Sequence, residues 1–225
     1  MRTLVLLLSV ATCLQLSAQQ IIGDPRKGKF NCERYISLNP FSLLEGEMAI
    51  GAGFSNRFTR RSEYFTELSY LVKNPMYEFV NSLHGFKVIG QYRYHYVPRV
   101  EREGAEHFAG VEVRLKQYYF ADTLAFINAS THDTLSRYPY RARATVLGGA
   151  VFIGVSRNLS VNSRWRVEFT FGFGIKQKNV SFNNIPRGYE AVIIQPKEWG
   201  YVPKIYESKA TVYIPSALRI QYRIR

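Results

Sequence analysis

Residues 164–180 read RWRVEFTFGFGIKQKNV, two interleaved series of opposite character. Trp165, Val167, Phe169, Phe171, Phe173 and Ile175 fall on one face of an extended strand. Arg166, Glu168, Thr170, Gly172, Gly174, Lys176 and Lys178 fall on the other. A half-buried strand of a soluble sheet alternates in this way, with its polar face in water. A transmembrane barrel strand does so too, with its apolar face in lipid and its polar or small face lining the lumen. The run outlasts the usual strand of about 5 or 6 residues, and the pattern recurs along the chain. Both features favour the barrel strand.

Taken in order, residues 35–44 predict a first strand, blemished by Pro40, and Glu45-Gly46 a tight turn. In residues 47–58, Met48, Ile50, Ala52 and Phe54 oppose Glu47, Ala49, Gly51, Gly53 and Ser55, small residues that let a narrow barrel close. A basic turn at 57–61 leads to Tyr64, Thr66, Leu68, Tyr70 and Val72 against Phe65, Glu67 and Ser69. After a loop at 73–83, Phe86, Val88, Gly90, Tyr92, Tyr94 and Tyr96 oppose Lys87, Ile89, Gln91, Arg93 and His95. A charged turn at 97–106 precedes a strand over 108–123, where Val111, Val113 and Leu115 oppose Glu112, Arg114 and Lys116. Residues 124–143 read as a long polar loop, 144–158 as a strand and 158–163 as a turn into the opening segment. Residues 181–214 have no clean period and read as a long loop. The chain ends on Leu218, Ile220, Tyr222 and Ile224 against Arg219, Gln221 and Arg223, a strand placed to close on the first. The predicted fold is all-β, a single antiparallel up-and-down transmembrane barrel of about eight strands.

The N-terminus sharpens this. Met1-Arg2 followed by TLVLLLSVATCLQLSA reads as a secretory signal cut after Ala18, because the apolar run is too short for a membrane helix. The competing reading, Cys13 as a lipidated residue, is disfavoured by Thr12 before it and Leu14 after it. The expected organisation is signal peptide 1–18, flexible lead-in 19–34 and barrel 35–225. Without Cys13 the only thiol is Cys32, so no internal disulfide is expected in an oxidising exterior. No later run is long and apolar enough for a membrane helix, so membrane embedding requires a closed barrel. The net charge of +13 is assigned to a hydrated interior and lipid headgroups; export argues against nucleic acid as a partner. The aromatic share of 15% suits interface girdles as well as cores.

The alternation, signal peptide, terminal strand and loop lengths together resemble the small monomeric outer-membrane barrels of the OmpX and OmpA transmembrane-domain type. Such proteins usually end in an aromatic, where this chain ends Ile224-Arg225, with Tyr222 nearby. The resemblance implies a monomer in the outer membrane of a Gram-negative-type envelope. Its implied partners are outer-membrane lipid, lipopolysaccharide, the barrel-insertion machinery and an extracellular molecule, and it implies no cofactor.

The lumen face predicts an ionic network of Glu47, Glu67, Lys87, Arg93, Glu112, Arg114, Arg166, Glu168, Arg219 and Arg223. In so narrow a barrel these charges are read as a plug in preference to an ion path, since enclosed ions must be paired. Tyr189, Trp199, Tyr201 and Tyr206 are the outer-loop contact candidates. Ser130, Thr131, His132 and Asp133 place a hydroxyl, an imidazole and a carboxylate in one loop. Real triads converge from distant positions, so a lipid-acting enzyme is a minor alternative. Asp122-Thr123-Leu124 and Asp133-Thr134-Leu135 resemble a bacterial O-glycan acceptor, and Asn128, Asn158 and Asn179 open N-glycan-type triplets. The other alternative is a secreted soluble barrel of lipocalin type that holds an apolar ligand, with the apolar face turned inward.

Overall fold

The computed structural model describes residues 32–39, 48–73, 82–97, 105–128, 130–160, 163–184, 188–192 and 208–224. The predicted Glu45-Gly46 turn lies outside them, as do Glu47, Trp199, Tyr201 and Tyr206. The elements are β1 (Glu33–Leu38), β2 (Met48–Arg57), β3 (Ser62–Val72), β4 (Ser82–Val97) and β5 (Glu106–Asn128). They continue with β6 (Thr134–Asn158), β7 (Trp165–Asn183), β8 (Tyr189–Val192), β9 (Lys209–Tyr213) and β10 (Ser216–Ile224). Consecutive strands β1 through β7 pair antiparallel, β1 with β2 and so on to β6 with β7, and β10 pairs with both β7 and β1. The sheet therefore closes into an eight-stranded antiparallel barrel. β9 and β10 together make the eighth stave. Tyr213 lies opposite Gly174 and Ser216 opposite Phe171, so the register runs through the break at Ile214-Pro215, where proline has no N–H for the ladder.

Alternation is read out in three dimensions as two surfaces. On β7, Trp165, Phe169, Phe171, Phe173 and Ile175 point outward, with Phe171 still 50% exposed, while Arg166, Glu168 and Thr170 are buried inside. The same holds around the wall: Ile36, Ile50, Leu68, Val111, Val113, Leu147, Val151, Ile153 and Ile220 are all exposed. Aromatics gather at both edges of this apolar belt. Tyr92, Tyr94, Tyr96, Trp165 and Tyr222 lie toward the end where β1 begins and β10 finishes, here the terminus end. Tyr70 and Tyr119 lie toward the far end.

The far end departs from expectation. The polar loop predicted at 124–143 is strand: β5 runs to Asn128, β6 starts at Thr134, and a tight turn joins them. This hairpin outlasts β4, whose pairing with β5 stops at Ser82 opposite Ala121. β8 then takes the edge of β5 over Ala125–Asn128. Likewise the loop predicted at 181–214 holds the end of β7 together with β8 and β9. The first strand begins at Glu33, two residues before the predicted start. Phe126 and Tyr140 of the extension are buried in one apolar cluster with Tyr118, Phe120, Ala142 and Ala144 of the barrel's far end. Truncation of a fully buried aromatic typically costs about 3–5 kcal/mol. Phe126→Ala is therefore expected to loosen this hairpin, read as faster protease cleavage within the extension while the barrel stays folded.

Close packing inside needs glycine at particular points. Gly154 on β6 lies opposite Phe108 on β5, and a Cβ there would run into the Phe108 ring. Gly53 does the same for Phe65, whose ring carbon Cζ would lie 2.7 Å from an added Cβ. Both rings carry guanidinium groups of the lumen, so the space is not spare. Gly154→Ala is expected to destabilise by about 1–3 kcal/mol through overpacking, measured as a lower denaturant midpoint.

Candidate functional site: the charged lumen

The inward positions of β1 to β5, β7 and β10 bring carboxylates and cations into one connected network that begins at the terminus end. At its rim Glu33 lies 3.4 Å from Arg223 and 3.9 Å from Arg57. Arg57 reaches Glu106 at 2.8 Å. Glu106 in turn lies 3.7 Å from Arg166 and 3.8 Å from His95 Nδ1. Arg166 and His95 both face Glu63, at 3.3 and 3.1 Å. Deeper still, Arg93 joins Glu63 at 2.9 Å and grips both oxygens of Glu168 at 2.8 and 3.0 Å. Such two-point guanidinium contacts fix direction as well as charge.

Arg219 continues the chain, donating to Glu168 at 3.1 Å and to Glu67 at 3.2 Å, and Lys87 lies 3.8 Å from Glu67. Gln221 donates to Glu168 at 3.0 Å. A side branch runs through Gln91, which accepts from Arg93 at 2.7 Å and donates to Glu112 at 2.7 Å. Glu112 closes on Arg114 at 2.6 Å.

Burial makes this pairing obligatory. Glu63, Arg93 and Glu168 are 0% exposed, and an enclosed ion left alone costs several kcal/mol. Aromatic faces supply the rest of the surroundings. The Arg93 guanidinium carbon lies 4.3 Å from the centre of the Phe65 ring and 5.2 Å from that of Phe108; Arg219 shares Phe65 at 4.6 Å. Arg166 lies 4.0 Å from the Tyr35 ring centre. The cations are therefore held over π faces while their N–H groups are spent on carboxylates. The arrangement is chemically suited to cross-bracing the barrel and to filling its bore. Arg219 and Glu67, for instance, tie the last stave to the third across the lumen.

Of the residues expected here, Glu67, Lys87, Arg93, Glu112, Arg166, Glu168 and Arg219 are buried in the network. Arg114 joins it half-buried, and Arg223 sits at the open rim. The sequence reading missed Glu63, Glu106, Arg57 and the bridging role of His95. Glu63, Glu106 and Arg57 keep the inward phase where the sequence read as turn, and His95 already stood on the inward series of its strand. Glu63 precedes Phe65 and Glu67 in phase, Arg57 follows Ser55, and Glu106 precedes Phe108.

Tyr189 is a strand residue of β8, packed against the far-end apolar cluster, and does not stand on a loop. Ser130 to Asp133 form the β5–β6 turn: the Asn128 side-chain oxygen accepts from the backbone N–H groups of Ser130 and Thr131, and Thr131 donates to Asp133 at 2.7 Å. His132 has a positive φ of 60°, and no hydrogen bond joins its ring to Ser130 or Asp133. Among the described residues no group of three or more His, Cys, Asp and Glu side chains is placed to hold a metal ion. Comparison with known proteins returns no matching family model, no matching curated protein and no matching solved structure.

Proposed function

We propose that the chain is an integral outer-membrane protein of the small-barrel kind, with a lumen closed by its ionic network and a far-end extension that meets molecules outside the cell. The observation that carries this reading is the continuous outward belt of exposed Ile, Leu, Val and Phe around a closed barrel with buried charge inside. A water-exposed belt of this extent is rare on a soluble monomer and marks an interaction surface.

The belt also has a fitting height. From Tyr94, in the terminus-end girdle, to His84, which stacks on Tyr119 at the far-end girdle, β4 advances about 33 Å at about 3.3 Å per residue. At a strand tilt of about 40° this is about 25 Å along the barrel axis, the height of an outer-membrane barrel's apolar band. Outer-membrane lipid and lipopolysaccharide are then the lateral partners, and the insertion machinery a transient one.

Cell fractionation tests the reading: the protein is expected to stay in the membrane pellet through carbonate and high-salt washes. Recovery in the soluble fraction would refute it. The closed lumen predicts no conductance steps from purified protein in a planar bilayer; regular steps that grow with salt would contradict the plug. The far-end aromatic cluster, which faces inward, favours one second reading, a secreted barrel of lipocalin type with an apolar ligand at that end. Solubility without detergent, together with a co-purified apolar molecule, would support it.

A further inference from the structure

The outer wall is not uniformly convex. At the terminus end of β6 and β7 a groove of about 510 Å³ opens on the outward side, within the about 300–1,000 Å³ typical of small-ligand sites. Val155, Val167, Phe169 and Leu159 form its apolar walls, and Arg157 and Asn158 stand at its polar edge beside the β6–β7 turn. We infer that this groove is a binding site for one anionic phospholipid, its acyl chain on the Val155, Val167 and Phe169 wall and its headgroup phosphate on Arg157. The inference rests on the membrane reading above and deepens it.

Two features single out Arg157. First, its guanidinium is uncommitted at the groove itself: Arg61 donates to the Tyr94 hydroxyl at 2.9 Å and Arg164 to the Tyr222 hydroxyl at 3.2 Å, while Arg34 and Arg60, also exposed at this end, do not line the groove. Among the described residues Arg157 has no side-chain hydrogen-bond or ion-pair partner, although its flat fork is the group best shaped to grip a phosphate at two points. Second, its position joins two chemistries. The groove runs into the exposed apolar belt through Phe169, while Arg157 lies at the level of the Trp165 and Tyr222 girdle, where headgroups meet the chain ends. Arg164, in the turn of the same hairpin, adds positive potential at that level. A lipid with net negative charge gains from both cations; a zwitterionic lipid brings its own cation to the same place. Charge complementarity and continuity with the belt thus point to the same occupant.

The test uses the full mature chain in nanodiscs containing equal phosphatidylglycerol and phosphatidylcholine, with retained lipid counted by native mass spectrometry after release. The parent protein is expected to keep one phosphatidylglycerol in preference to phosphatidylcholine. Arg157→Gln should lower that retained population about tenfold, the effect of losing one charge-assisted contact. Arg157→Lys should lower it less, and Arg61→Gln should match the parent. A chain that enters nanodiscs but keeps both lipids alike, or whose Arg157→Gln variant keeps phosphatidylglycerol as the parent does, overturns this site alone. A chain that stays monodisperse in water and enters no nanodisc overturns the membrane reading and the site together.

Discussion

Glu168→Ala lowers the stability of the folded barrel by about 3–5 kcal/mol, the cost of breaking an enclosed ion pair by removing one partner. Glu168 is the most connected carboxylate of the lumen. Arg93 holds both its oxygens, Arg219 and Gln221 donate to it, and Arg166 stands 4.0 Å away. Its removal leaves these cations facing one another across a bore with little access to water. Glu168→Gln keeps the shape and some of the hydrogen bonds and should lose markedly less. The readout is the temperature at which the compact, fast-migrating form on a denaturing gel converts to the unfolded form. Conversion of Glu168→Ala at the parent's temperature would mean that the charge is not enclosed as described.

Arg93→Met has the second large effect, again about 3–5 kcal/mol, because Glu63 and Glu168 both lose their shortest charged contact. Methionine fills part of the space between Phe65 and Phe108, so the loss reports charge more than cavity. The double variant Arg93→Met with Glu168→Gln removes one charge of each sign. Its cost should fall short of the sum of the two single costs by about 1–3 kcal/mol, the coupling expected of directly bonded groups. Denaturant unfolding in detergent, followed by circular dichroism, measures it. Additive losses would show that Arg93 and Glu168 act independently, against the two-point contact.

How much of this was legible in the chain follows from where the period of two holds. Along β7 and the middle of β4 the alternation is unbroken, so Lys87, Arg93, Arg166 and Glu168 could be placed on the inner face from sequence. It fails where the backbone interrupts the phase. A register shift between Leu124 and Phe126 breaks the alternation of β5, and the polar residues beyond it disguised a strand as a loop. Phe120, Phe126 and Tyr140 nevertheless share a buried cluster. Pro215 similarly split the last stave in two. Glu63 and Glu106 were lost for a different reason: charged residues near a turn look like the turn itself even where they keep the inward phase, and their partners Arg93 and Arg57 mark them as lumen residues. Pairing across the bore brings together residues as distant as Glu67 and Arg219, and no local pattern encodes that.

The central claim, that the apolar face of the staves meets lipid and the charged face meets the lumen, is tested most directly by scanning β7 with spin labels. Single cysteines at consecutive positions from 167 to 175, in a Cys32→Ser background because Cys32 is a free exposed thiol, would each carry a nitroxide in reconstituted vesicles. Positions 167, 169, 171, 173 and 175 are predicted to show high collision rates with oxygen and low rates with a water-soluble nickel chelate. The intervening positions should be shielded from both. High nickel accessibility at 169, 171 and 173 would place that face in water and contradict the account.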